Sequence, residues 1–115
     1  MRGRGSWALL GLLLLSACSK PLPKEKWDYV GEWRSPQMAL LILSDGTVAY
    51  KRLKNGGSVS IHAPLRAFDG DDFEVGAWPF TTTFDVTEAP HVVDGHWQMV
   101  VDGERLTRQG AISSI

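Results

Sequence analysis

Residues 58–67 read Ser-Val-Ser-Ile-His-Ala-Pro-Leu-Arg-Ala, and apolar and polar side chains alternate through the whole stretch. Successive side chains of an extended chain point to opposite faces, so Val59, Ile61, Ala63, Leu65 and Ala67 share one face and Ser58, Ser60, His62, Pro64 and Arg66 the other. The pattern predicts a strand that buries one face and wets the other. Pro64 has no N–H to give to a ladder, so this strand lies at an edge or bends there. The dipeptides Asn55-Gly56 and Asp69-Gly70 bracket the stretch, and Asp45-Gly46, Asp94-Gly95 and Asp102-Gly103 repeat the signal along the chain. Gly, Asn and Asp tolerate the positive φ of tight hairpin turns, so these five sites predict a meander of antiparallel strands.

The rest of the chain from Trp27 onward fits that meander. Trp27, Tyr29, Gly31 and Trp33 share one face, and Met38–Leu43 is apolar on both faces, which suits a central strand covered on both sides or one wrapped into a barrel wall. Phe80, Phe84 and Val86 align, followed by Trp97, Met99 and Val101. With 47–53, 72–75 and 104–108 added, about eight short strands result and no helical periodicity competes with them. The expected fold is all-β, a small antiparallel barrel or sandwich.

The chain has 115 residues, with 12 Lys and Arg against 13 Asp and Glu, which is the size and balance of one small domain. Its first residues are of another kind. Arg2 and Arg4 precede the apolar run 7–15, and Ser16 and Ala17 are small, which is the order of a secretory signal peptide. Nine apolar residues are too few to cross a bilayer, which takes about 20 in a helix. Leu15-Ser16-Ala17-Cys18 resembles the bacterial lipobox, and Cys18 is the single cysteine of the chain, so it has no disulfide partner within it. The resemblance implies cleavage before Cys18, lipidation of its sulfur and acylation of its amine. One acyl chain holds a protein to a membrane only marginally, whereas two or three hold it permanently. By similarity to Gram-negative lipoproteins, Ser19 after the cysteine implies sorting to the outer membrane, on its periplasmic face. Removing 1–17 with its two arginines leaves 98 residues and moves the net charge from −1 to −3. Residues 18–26 then form the lipidated cysteine and a solvated tether, 27–108 the β-domain and 109–115 a tail.

Catalytic patterns are missing from the sequence. It has no Gly-x-Ser-x-Gly, no phosphate-binding glycine loop and no His-Glu-x-x-His, and lipidation removes its one thiol, so neither an enzyme nor a cofactor is expected. His91 and His96 flank Asp94, but Asp94-Gly95 reads as a turn with solvated side chains rather than a metal site. The acidic group Asp69, Asp71, Asp72 and Glu74 lacks the spacing of a calcium loop and reads as a solvated turn. A net acidic domain in an envelope compartment has no footprint for nucleic acid.

Ten aromatic residues remain after cleavage, and each removes roughly 150–250 Å² from water when buried, so they are first of all a core. Gly31-Glu32-Trp33 resembles the Gly-x-Trp that opens the first strand of lipocalins. That resemblance implies that Trp33 closes the barrel floor and packs against an arginine of the last strand, Arg105 or Arg108. The stretches Val30–Trp33, Ser44–Val48, Ser60–Pro64, Gly70–Phe73, Thr82–Phe84 and Val101–Arg108 resemble a family of short uncharacterised proteobacterial lipoproteins, which implies a lipoprotein with one β-domain and no known activity. The expected function is a non-enzymatic binding or assembly module, held to the membrane through Cys18 and contacting an envelope protein. Its contact surface would be an unpaired strand edge near Pro64, or Trp78 in Gly76-Ala-Trp-Pro-Phe80. The alternatives are a lipocalin-like carrier of a small apolar ligand and an inhibitor of a periplasmic hydrolase.

Overall fold

The computed structural model describes residues 20–110. The expected signal peptide, Cys18, Ser19 and residues 111–115 of the tail lie outside the described residues. Among the described residues, a 3-10 helix, Lys24–Tyr29, precedes nine strands. These are β1 Gly31–Arg34, β2 Met38–Ile42, β3 Thr47–Lys54, β4 Gly57–Asp69, β5 Asp72–Ala77, β6 Phe80–Phe84, β7 Val86–Val93, β8 His96–Val101 and β9 Glu104–Arg108. The fold is all-β, as the alternation predicts. All pairings are antiparallel, within one sheet of order β6-β5-β4-β3-β2-β1-β9-β8-β7.

That order dictates the shape. Strands β6 and β7 sit at opposite edges, yet Asp85 alone separates them in the chain. Eight spacings of about 4.8 Å would hold the edges of a flat sheet roughly 38 Å apart, whereas one residue and its two peptide bonds span about 7 Å. The sheet therefore curls into a half-barrel. Eight antiparallel steps separate β6 from β7, so the two run in the same direction. Phe80–Val93 is in effect one long bent strand whose first part pairs with β5 and whose second part pairs with β8. The bend is held from both sides. Asp102, in the β8–β9 turn, donates its N–H to the Asp85 carbonyl at 2.8 Å and accepts the Asp85 N–H on its carboxylate at 2.9 Å. From the other side, the Asp72 carboxylate accepts the Val86 N–H at 2.6 Å.

The turns follow the local chemistry. Asn55-Gly56, Asp94-Gly95 and Asp102-Gly103 have positive φ at both positions, the twist that antiparallel hairpins favour. The β4–β5 turn falls on Gly70-Asp71, one residue later than the expected Asp69-Gly70, because Asp69 stays in the ladder opposite Asp72. The turn β5–β6, at Trp78-Pro79 with a cis peptide bond, has no Asx-Gly signal at all.

Two expectations change at the N-terminal side. Trp27 and Tyr29 do not continue β1, because the chain from Lys24 to Tyr29 is helical and Val30 turns it into the strand. Trp27 is 55% exposed, while Tyr29 is buried. The tether is shorter than 18–26, since Leu22 is buried in the core and donates its N–H to the Ser44 carbonyl at 3.1 Å. At the other end Gln109 is not free tail, for its N–H bonds the Glu32 carbonyl at 2.7 Å and extends the β1–β9 ladder.

The core lines the concave face. Registers align Trp33, Leu40, Tyr50 and Ile61 in one row across β1–β4, and Ile42, Val48 and Ala63 in the next. Phe73 and Phe84 stack 5.0 Å apart across β5 and β6, and Tyr50 meets Phe84 edge-on at 4.9 Å. Each fully buried side chain of this size contributes about 1.5–3 kcal/mol. Strand β4 keeps its predicted stripe only in part. Ile61, Ala63 and Leu65 turn inward, Val59 lies exposed beyond the rim, and a bulge between Leu65 and Ala67 swaps Phe68 inward in place of Ala67.

Removing the Asp72 carboxylate leaves the Val86 N–H without its acceptor at the bend. Asp72→Ala is expected to lower unfolding free energy by about 1.5–3 kcal/mol, and Asp72→Asn by less because an acceptor remains. Urea denaturation of the two variants measures the difference.

Candidate functional site

The residues singled out by the Gly-x-Trp resemblance come together. Trp33 is wholly buried, and its indole N–H bonds the Tyr29 carbonyl at 2.9 Å, which ties the 3-10 helix to the sheet floor. The Arg108 guanidinium lies 5.6 Å from the Trp33 ring centre and 4.6 Å from that of Trp97, and it reaches the Val30 carbonyl at 3.4 Å. Gly31, at φ 146°, passes under this arginine so closely that a Cβ would stand 2.6 Å from Arg108 Cδ. Of the two arginines considered, Arg108 is the one beside Trp33. Arg105 instead pairs with Glu88 on the outside, with Nη2 2.9 Å from Oε2. These hydrogen bonds hold the Glu88 carboxyl below the usual carboxylate range and raise Arg105 further.

Of the polar groups around the Asp94-Gly95 turn, His91 has partners of its own. The His91 ring meets the Ala89 carbonyl at 2.8 Å and Glu88 at 3.5 Å, while His96 is an exposed residue opposite Val93. Among the described residues no group of three or more His, Cys, Asp or Glu is placed to hold a metal ion. The acidic group at 69–74 is more engaged than a solvated turn. Asp72 holds the bend, Glu74 lies 3.5 Å from Arg66, and the Asp71 carbonyl accepts the Tyr29 hydroxyl at 2.8 Å. Lys26 donates to the Gly70 carbonyl at 2.7 Å and sits over the Phe68 ring at 4.9 Å. Burial, helped by the charges of Asp71 and Asp72, pushes the Tyr29 hydroxyl up to about 12. These contacts bind the 3-10 helix over one end of the curl.

What remains available to a partner lies at the outer and rim surfaces. Trp78 is 79% exposed and Phe80 is 84% exposed, on the tight β5–β6 turn. Phe80 follows the same alternation as buried Phe84, but it stands beyond the rim where no strand covers it. Gly76 makes the turn possible: it has φ 113°, and a Cβ there would run into the Phe80 carbonyl oxygen. On the convex face a shallow groove of about 410 Å³ crosses β1–β4, floored by Ala39, Leu41 and Ala49 and bordered by Glu32, Arg34 and His62. Glu32 is buried there and paired with Arg34. The sequence marked Trp78 through its bracketing Gly76 and Pro79, but it hid Phe80 in an apparent inward stripe. It also gave no sign of the groove, whose small floor residues become neighbours only through strand register.

Comparison of the chain with protein-family models, with curated proteins and with solved structures finds no match.

Gly31→Ala forces a side chain into a positive-φ site against an arginine held by two indoles, and is expected to cost roughly 1–3 kcal/mol. Thermal unfolding with tryptophan fluorescence reports both the loss and the displacement of Arg108. The raised Tyr29 hydroxyl stabilises the fold in its protonated form. Its contribution is complete below the unfolded tyrosine value of about 10 and is lost as pH rises through about 12. Urea midpoints of the native chain should fall across that window, and Tyr29→Phe should flatten the decline.

Proposed function

We propose that this protein is a lipid-anchored lipoprotein of the bacterial envelope, on the periplasmic face of the outer membrane, and that it works as a non-enzymatic binding or assembly module. The observation that carries the binding role is the exposed pair Trp78 and Phe80 on a turn built by Gly76. Indole and phenyl rings left in water at a tight turn mark an interaction surface, since aromatic anchors dominate the energetics of protein interfaces. The anchoring role rests on Leu15-Ser16-Ala17-Cys18 and on the apolar run before it. The carrier alternative has the Gly31–Trp33–Arg108 arrangement in its favour. Against it stands the concave face, where Trp33, Leu40, Phe73, Phe84 and Met99 occupy the space that a ligand would need.

Cys18→Ser is expected to abolish incorporation of labelled palmitate and to leave an uncleaved or soluble chain. Persistent labelling of that variant overturns the anchor. For the binding role, a photoreactive residue replacing Trp78 in intact cells should give a discrete crosslinked product that the same residue at Asp94 does not give. Equal products at both positions, or none at 78, overturn it.

A further inference from the structure

Strand β4 outruns one of its neighbours. Gly57–Pro64 pairs with β3, whereas β5 joins β4 only from Leu65 onward. The side of β4 that faces away from β3 is therefore open from Gly57 to Ala63. Antiparallel alternation decides which groups face that side. Leu65 donates its N–H to the Gly46 carbonyl at 2.6 Å, which makes Val59, Ile61 and Ala63 the residues bonded to β3. The main-chain N–H and C=O groups of Ser58, Ser60 and His62 point the other way. Pro64, next in that series, has no N–H, so it ends the open row where β5 begins.

Natural edges are usually guarded by charges, prolines, bulges or a covering segment. This edge carries Ser58, Val59, Ser60 and Ile61, with no charge among them. The charges lie one strand back. From Gly46 to Phe68 the chain has four cations, Lys51, Arg52, Lys54 and Arg66, and no acid. The other described residues carry six cations against thirteen acids, a net −7 against +4. Arg66 is paired with Glu74, but Lys51, Arg52 and Lys54 make no ion pair among the described residues. They stand opposite Ser60, Val59 and Gly57 in the register, beside the open row. A strand added to β4 would lie two spacings from β3, about 9.6 Å, a gap that long cationic and acidic side chains close from both sides.

We propose that the open edge of β4 receives an extended acidic segment of a partner protein as an added strand. Main-chain hydrogen bonds to Ser58, Ser60 and His62 supply affinity, and the cations of β3 select acidic side chains. Trp78 and Phe80, on the turn reached after β5 leaves β4, give the partner an apolar contact next to the edge. This rests on the reading of the chain as a binding module and names the chemistry of its partner. Orientation favours a protein over the bilayer. The Lys20 main chain is seated against Gly46 at the β2–β3 turn, the end of β3 opposite the β3–β4 turn, and Cys18 is two residues earlier. A lipid on Cys18 would put that end of β3 nearest the membrane, and the β3–β4 turn lies about 26 Å further along the strand, at 3.3 Å for each of eight residues.

The test uses the full-length chain with three probes: the capped peptide (Glu-Val)4, the capped peptide (Lys-Val)4 and vesicles of phosphatidylglycerol. Hydrogen exchange read by NMR should show the amides of Ser58, Ser60 and His62 slowed tenfold or more by saturating (Glu-Val)4. Ser60→Pro removes one open donor without touching a bond to β3, and the double variant Lys51→Glu, Lys54→Glu reverses the local charge. Each should weaken the acidic peptide at least tenfold while thermal unfolding stays near that of the native chain. The double variant alone decides the matter if the proline destabilises the hairpin. No slowing at the three amides, equal binding of (Lys-Val)4, or vesicle binding that the charge reversal abolishes overturns the proposal. A crosslink at Trp78 with no peptide binding removes the strand-addition proposal and leaves the binding module standing.

Discussion

One residue between two strands sets the form of this protein. Because Asp85 alone joins β6 to β7, and these strands occupy opposite edges of a nine-stranded sheet, the sheet has to curl until the end of β6 comes beside the start of β7. Curling gives the small domain a concave face, and bulky side chains fill it. Without such closure, a sheet of this length would expose one apolar face and two long edges. The carboxylates of Asp72 and Asp102 secure the bend by accepting the N–H groups that the interrupted ladder leaves behind. A chain with no disulfide among its described residues thus holds its shape through a handful of charge-assisted hydrogen bonds and a continuous aromatic core.

The floor of the curl is a second tie between distant parts of the chain. Trp33 bonds the carbonyl of Tyr29, Tyr29 bonds the carbonyl of Asp71, and Arg108 lies against two indoles. Three segments far apart in sequence, the 3-10 helix, the β4–β5 turn and the last strand, are joined there. Exposed aromatic side chains lie elsewhere, at the β5–β6 turn, and an open strand edge lies along β4. The charge distribution points the same way, since residues 46–68 carry four cations and no acid while the other described residues are net acidic.

The places where the sequence misleads share a physical origin. The alternation Trp27, Tyr29, Gly31, Trp33 imitates a strand, but Pro23 and the contacts of Lys26 with Gly70 and Phe68 favour a tight helix that brings Tyr29 inward. The stripe from Val59 to Ala67 is regular in sequence, and a bulge breaks it in space, because β4 has to pass from one partner to another. Phe80 and Phe84 have the same parity and opposite fates, for burial depends on whether a neighbouring strand extends far enough to cover a position. Local periodicity records which face a residue occupies and not how far along that face the protein continues.

The sequence by itself determined the class of fold and its antiparallel hairpins, and only the resemblance to the lipocalin Gly-x-Trp implied an arginine partner for Trp33. Alternation and Asx-Gly turns are local properties, so they can be read without knowing what lies across the sheet. Tertiary structure alone decided which arginine serves, where the sheet closes and which edge stays open. Those outcomes depend on register and strand length, which set the positions of residues tens of places apart and leave no trace in the composition of either segment.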